Sequence, residues 1–280
     1  MNNKHKTNLI NASFTIIFFF LMISIDSLSF ASTARMKSTA GVGVGSILLD
    51  EATFLNPASS AFYKIGAFYY QKTNTESSIE NSPNSIRSST FIATDAKGKV
   101  AGSLSYVKHD NAEDHKKISL SIASIIGERS ASGLTYHYED EDQKKKFFTF
   151  GITHAINEAL TMGFIVNDPT RVKPNNSSAI VGLQYTYQSF ITLMGDFGTD
   201  WKNRFDEKLV YGAGIQFKIY DDLYIRGGQK IDRQKHLKIK GVGASWSSPK
   251  FVANIALSFN ENTLTNTEDK ETTFSLSYKF

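Results

Sequence analysis

From about Lys64 to the end of the chain, large apolar side chains recur at every second position in runs of about ten residues. Val100, Gly102, Leu104 and Tyr106 share one face, interleaved with Lys99, Ala101, Ser103 and Ser105. The pattern returns at Ile118, Leu120 and Ile122, at Leu160, Met162, Phe164 and Val166, and at Val181, Leu183, Tyr185 and Tyr187. Leu209, Tyr211, Ala213, Ile215 and Phe217 repeat it, as do Phe251, Ala253, Ile255, Leu257 and Phe259. Period-two alternation of this kind predicts β-strands with one apolar face.

The connections alternate too. Short turns fall near 95–98, 127–130, 156–158, 188–189, 220–222 and 247–250. Longer polar stretches fall between them, near 73–87, 110–115, 139–145, 168–176, 200–206, 230–236 and 260–271. Tight turns at one end and larger loops at the other are the asymmetry of a membrane barrel, and a soluble sandwich has no reason to keep it. Seven long and six short connections imply about fourteen strands; twelve is the alternative, because the runs 64–72 and 88–94 alternate poorly. The predicted fold is therefore all-β, a transmembrane antiparallel barrel. Aromatic residues near strand ends, Tyr106, Tyr136, Tyr138, Phe147, Phe148, Tyr187, Phe190, Tyr220, Tyr224 and Trp246, fit the girdles such barrels place at the two membrane interfaces.

Both termini support export. Lys4 and Lys6 precede an apolar run from Phe14 to Ile25, and Ser29-Phe30-Ala31 supplies small residues for a signal peptidase. The expected organisation is a signal peptide over 1–31, an N-terminal segment over 32–62 and a barrel over 63–280. The apolar run is shorter than the ~20 residues a spanning helix needs. At the other end Phe274, Leu276, Tyr278 and the final Phe280 form an aromatic ladder. It resembles the C-terminal signal that the assembly machinery reads in bacterial outer-membrane barrels, so the expected location is the outer membrane. Outer-membrane lipid, lipopolysaccharide and that machinery are the expected partners.

The formal net charge is +4, and removing the signal segment leaves +3. So small an excess, unclustered, is no case for nucleic acid. The chain has no cysteine, so nothing in it relies on disulfides.

Residues 32–62 show neither strand alternation nor helix spacing. Gly41, Gly43 and Gly45 alternate with valines, and Asp50, Ala52 and Asn56-Pro57-Ala58 follow just ahead of the first strand. The glycine run lacks the lysine and hydroxyl residue of a phosphate-binding loop and the spacing of a dinucleotide fingerprint. Glycines here fit close backbone approach in a confined space. At these residues the chain resembles the long-chain fatty-acid transporter (FadL) family, whose small-residue N-terminal segment leads through an Asp-Ala region into Asn-Pro-Ala and folds as a hatch inside a fourteen-stranded barrel. It departs at Ser59, where members often have glycine, and at Leu55, where an aromatic is usual; here Phe54 lies one step back. The chain is also much shorter than the archetypal transporters.

The resemblance implies passive uptake of a hydrophobic, fatty-acid-like small molecule, which leaves sideways through a gap at the third strand. Gly98 and Gly102 fall in that region and are the candidate gap residues. Parity points Asp196, Gln216, Lys218, Arg226 and Asn254 into the lumen, where buried charge needs partners; the expectation is pairing with one another or with Asp50, Glu51 and Asn56. Lys238 and Lys240 are candidates for lipopolysaccharide phosphates on the outer face.

No catalytic residue, metal or cofactor is assigned. His137 and His154 lie among serines, but no G-x-S-x-G motif accompanies them, and His137 is expected at a loop edge or girdle. The six histidines are scattered without metal-ligand spacing. Two functions stay open: a transporter of hydrophobic small molecules, and a non-transporting barrel that serves as scaffold or assembly partner.

Overall fold

The computed structural model describes residues 32–78, 85–110, 115–140, 144–200, 202 and 208–280. The expected signal segment lies outside them. Fourteen strands follow in chain order: β1 Gly66–Ser77, β2 Ile86–Asp95, β3 Val100–His109, β4 Lys116–Gly127, β5 Ser130–Asp140, β6 Lys144–Ala155, β7 Leu160–Asn167, β8 Ser178–Tyr187, β9 Ile191–Thr199, β10 Val210–Tyr220, β11 Leu223–Asp232, β12 Leu237–Ser247, β13 Phe251–Asn262 and β14 Thr267–Lys279. Each pairs antiparallel with its neighbours in sequence, and β1 closes on β14, so the sheet has no edge. The two weakly alternating runs are β1 and β2, which excludes the twelve-strand alternative.

The alternation fades where strands outrun the apolar belt. Along β1 the outward residues pass from Phe68 and Tyr70 to Lys72, Asn74 and Glu76, polar on a face that is greasy lower down. The same effect corrects the loop expectation. The polar stretches near 139–145, 230–236 and 260–271 include strand ends, and the connections that β11 to β14 leave are only 233–236 and 263–266. A connection of ten residues survives at 168–177.

The wall inverts the usual order of a soluble domain. Leu104, Leu120, Val181, Leu183, Leu193, Phe197 and Ile255 project outward and are exposed, whereas Ser103, Ser105, Ser119, Thr135, Thr153, Thr273 and Ser275 are buried inside. Lipid outside and small hydroxyls inside account for both faces. Phe274, Leu276 and Tyr278 lie on the outer face of β14, and the Phe280 ring packs 5.1 Å from that of Phe68. Two aromatics expected in the girdles point inward instead: Phe147 is buried, and Tyr224 faces Arg226, whose guanidinium lies 5.9 Å from its ring.

Residues 33–62 run inside the barrel, and the wall beside them lacks side chains. Gly133 opposes Gly151 across β5 and β6, Gly163 opposes Gly182 across β7 and β8, and Gly228 opposes Gly214 and Gly241 across β10 to β12. A methyl group on Gly163 would overlap the Val44 carbonyl, and one on Gly241 the Lys37 carbonyl. Gly151 likewise has no room beside Asn56 and Pro57. These glycines let one backbone lie directly on another.

Gly163→Ala and Gly241→Ala are therefore expected to destabilise the folded barrel by ~1–3 kcal/mol or more through overpacking. Gly102→Ala, where a methyl group would meet nothing within 4 Å, is expected to stay within ~0.5 kcal/mol of the parent. Urea titration of the refolded protein in detergent measures all three.

Candidate functional site: the lumen and the segment inside it

The N-terminal segment opens with a short helix, α1 (Ala34–Ser38), whose N-cap Thr33 accepts a hydrogen bond from the Met36 amide at 3.1 Å. Positive φ angles at Ala40 and Gly41, 55° and 73°, end it and turn the chain along the wall. There the Asp196 carboxylate of β9 accepts hydrogen bonds from the amides of Gly43 and Val44 at 2.8 and 3.1 Å. Thr161 of β7 donates to the Gly45 carbonyl at 2.6 Å. Gly43 and Gly45 thus stand where segment backbone meets wall side chains, while the Gly41 amide donates back to the Met36 carbonyl of α1.

Asn56 is the hub of the next stretch. Its amide nitrogen donates to the carbonyls of Val44 and Ile152 and to the Thr153 hydroxyl, at 2.9, 3.2 and 3.0 Å. Its Oδ1 accepts from the Ala58 amide at 3.1 Å and caps the 3-10 helix Pro57–Phe62, with Pro57 at the first position, where a missing N–H costs nothing. Ala58 and Ala61 of that helix pack with Ala67, Ala96, Ala101, Ala123 and Ala131, filling the short-turn end of the barrel beside β1 to β5.

Charged groups tie α1 to the closing strands. Lys37 forms a buried ion pair with Glu271 of β14 at 2.7 Å and reaches Thr73 of β1 at 3.4 Å. Arg35 and Thr33 both hold Glu51, at 3.2 and 2.8 Å. Ser277 of β14 donates to Asp50 at 3.1 Å. Burial pushes the Asp50 carboxyl up from 3.8 to about 6, with Glu51 adding to the rise and the Ser277 hydroxyl and Lys279 opposing it. One Asp50 oxygen is buried with no partner, as a protonated carboxyl tolerates better than an ionised one.

The expected lumen residues divide. Arg226 donates to Gln216 at 2.7 Å and to Asn254 at 3.3 Å, and Asn254 donates to Ser275 at 3.0 Å. Asp196 binds segment backbone rather than a cation. Lys218 sits at the rim, its nearest acid being Asp221 of the adjoining turn at 3.8 Å. Beneath the segment Gln216, Arg226 and Asn254 border a cavity of about 360 Å³, between residues 47–51 and the lower ends of β8 to β14.

At the opposite end the 168–177 loop crosses the mouth. Lys173 pairs with Glu139 of β5, which also holds Lys117 at 2.8 Å, while Gln234 in the β11–β12 loop donates to the Pro174 carbonyl at 2.9 Å. β5 and β11 stand nearly opposite in the ring, so the loop straps the opening from side to side.

Two sequence expectations are corrected. Gly98 lies in the turn before β3, not in the strand, and Gly102 faces outward with full pairing to Asp95 and Ile122. The ladders on both sides of β3 keep register throughout, so no gap opens there; among the described strands, register shifts occur only at 125/127 and 218/220, beside short turns. His137 is not at a rim. It is buried inside, stacked 4.6 Å from Phe147, with Ser119 at 2.9 Å on Nδ1 and Thr149 at 3.1 Å on Nε2. Both ring nitrogens are engaged and Ser119 is wholly enclosed, which makes this a structural network and leaves a substrate no access to the hydroxyl. Lys238 lies 3.6 Å from Glu261 near the outer end, and Lys240 is exposed. No cluster of three metal-ligating residues occurs among the described residues. The glycine wall was missed from sequence, although its signal was present: the glycines of β5 to β12, Gly195 and Gly227 apart, recur at lumen parity.

The fold has solved counterparts. The chain is similar to CymD, a monoaromatic hydrocarbon channel (TM-score 0.68, 10% identity, covering 90% of this chain and 98% of that one). It is also similar to a Pseudomonas aeruginosa FadL homologue (0.60, 12%, 89% and 98%) and to the Pseudomonas putida toluene transporter TodX (0.59, 10%, 87% and 96%). No protein-family model matches the sequence, and a search of curated proteins finds no match. At these identities the likeness is one of architecture: the chain folds as a closed fourteen-stranded barrel similar to theirs.

Glu271→Gln leaves the Lys37 ammonium buried and unpaired, and is expected to cost ~3–5 kcal/mol. The double variant Lys37→Met, Glu271→Leu is expected to recover most of it; urea unfolding and protease sensitivity of the segment measure both. Because the Asp50 carboxyl is raised in the folded state, the native protein binds its proton more tightly than the unfolded chain does. Asp50 is thus expected to contribute stability that grows as pH falls from about 6 to about 4, and Asp50→Asn to remove that contribution in a pH series of urea midpoints.

Proposed function

We propose that this protein is an outer-membrane barrel for passive uptake of hydrophobic small molecules, in which residues 32–62 act as the hatch. The observation that carries the reading is a segment packed inside a closed barrel and held to its wall by hydrogen bonds, an ion pair and apolar packing, none of them covalent. Two of the architectural counterparts handle monoaromatic hydrocarbons or toluene, and a hydrocarbon-sized cargo suits a cavity of about 360 Å³ better than a long acyl chain does. No chemistry is required of the protein. Affinity for such cargo comes from apolar area removed from water, at ~25 cal/mol per Å².

A second reading has one observation in its favour. The 168–177 loop closes the mouth through a Glu139 carboxylate shared by two lysines, as suits a sealed scaffold in the envelope.

Uptake of radiolabelled toluene by cells lacking other hydrocarbon channels separates the two. Expression is expected to speed uptake several-fold over empty vector. The pair Asp50→Cys, Ser277→Cys, placed at a 3.1 Å side-chain contact, is expected to block uptake when oxidised and restore it on reduction. Uptake equal to empty vector in the reduced protein leaves the scaffold reading alone standing.

A further inference from the structure

Arg226 is a buried cation whose hydrogen-bond partners are neutral. It sits on the inner face of β11, 8% exposed, and its two hydrogen-bond acceptors are the side-chain oxygens of Gln216 and Asn254. Among the described residues no carboxylate lies within 4 Å of it, whereas Arg35, Lys37, Lys117, Arg171 and Lys173 each have one. The acid nearest in the segment, Glu51, is already held by Arg35 and Thr33. A buried charge left in this state is costly unless an anion completes it.

The space for that anion is present. Arg226 lines the 360 Å³ cavity beneath the segment, at the small end of the ~300–1,000 Å³ range of small-molecule sites. Two of the five N–H bonds of its guanidinium are spent on Gln216 and Asn254, which leaves part of the planar fork that matches a carboxylate. Leu49 and Val252 add an apolar side, and of the other charged groups on the lining the cations Arg35 and Lys279 balance the acids Asp50 and Glu51, which leaves Arg226 as the excess charge. An anionic head with a compact apolar body fits this combination.

We propose that the cavity is a binding site for a small organic carboxylate, aromatic or short-chain, whose head pairs with Arg226. The site lies at the short-turn end of the barrel, on the side away from the alanine plug, so the bound acid stands on an axial way out past residues 47–51. It is a cargo site insofar as the uptake reading holds; the binding itself does not depend on that reading.

Binding to the purified full chain in detergent tests this by calorimetry, with benzoate and hexanoate set against benzyl alcohol and 1-hexanol, which separates the anionic head from the body in both series. The carboxylates are expected to bind at least tenfold tighter than their alcohols, and Arg226→Gln to erase the difference. Val252→Trp, which fills the cavity and leaves Arg226 in place, is expected to abolish carboxylate binding, and it decides the matter should the arginine variant fail to fold. Equal affinity for acids and alcohols in the parent protein overturns the proposal, as does undiminished carboxylate binding in Val252→Trp. Either result leaves the hydrocarbon uptake measurement untouched, and failed uptake with intact carboxylate selectivity rejects only the transport reading.

Discussion

Everything inside this barrel depends on two backbones lying against each other with nothing between. From β5 round to β12 the inner wall offers glycine where the segment passes, and at Gly163 and Gly241 a single methyl group would overlap a segment carbonyl. Direct contact brings peptide groups within reach of wall side chains, so Asp196 takes the Gly43 and Val44 amides and Thr161 meets the Gly45 carbonyl. A buried chain without regular secondary structure must find partners for its backbone, and this wall supplies them. The valines between the glycines are free to pack: Val44 joins Met36, Leu55, Ile165, Ile180 and Val210 in an apolar cluster.

The segment is fixed unevenly. Beside β1 to β5 an alanine layer leaves no room, while beneath residues 47–51 the packing opens into a polar cavity. Buried ion pairs fasten α1, yet Asp50, bordering the cavity, keeps an oxygen without a partner.

Much of the fold was legible in the chain because the two faces of the wall answer to different solvents. Val100, Leu104 and Tyr106 alternate with Ala101, Ser103 and Ser105, and the structure places the first set outward and the second inward. The signal failed where both faces are polar: the strand ends at 230–232 and 260–262 rise past the lipid, and period two vanishes there. Contacts far apart in sequence were the other blind spot. Asn56 was singled out by its motif, but its partners Ile152 and Thr153 lie 96 and 97 residues onward, and no local pattern announces them. The glycines in strands invited a reading of weakness at Gly102, when most of them are inward positions made small for a neighbour. His137, read as a rim residue, shows the same limit, since its enclosure depends on Phe147 and Thr149 of the next strand.

The seam between β1 and β14 is tied to the chain inside it. Its register runs unbroken from Ala67 opposite Lys279 to Ser77 opposite Asp269. Directly behind it, Gln71 donates to the Ser32 carbonyl, the Tyr69 hydroxyl accepts from the Ala34 amide, and Lys37 reaches both strands at once. The seam and the inner chain therefore complete one another: the hydrogen bonds that hold Ser32, Ala34 and Lys37 have their full set of partners only where the first and last strands have met beside them.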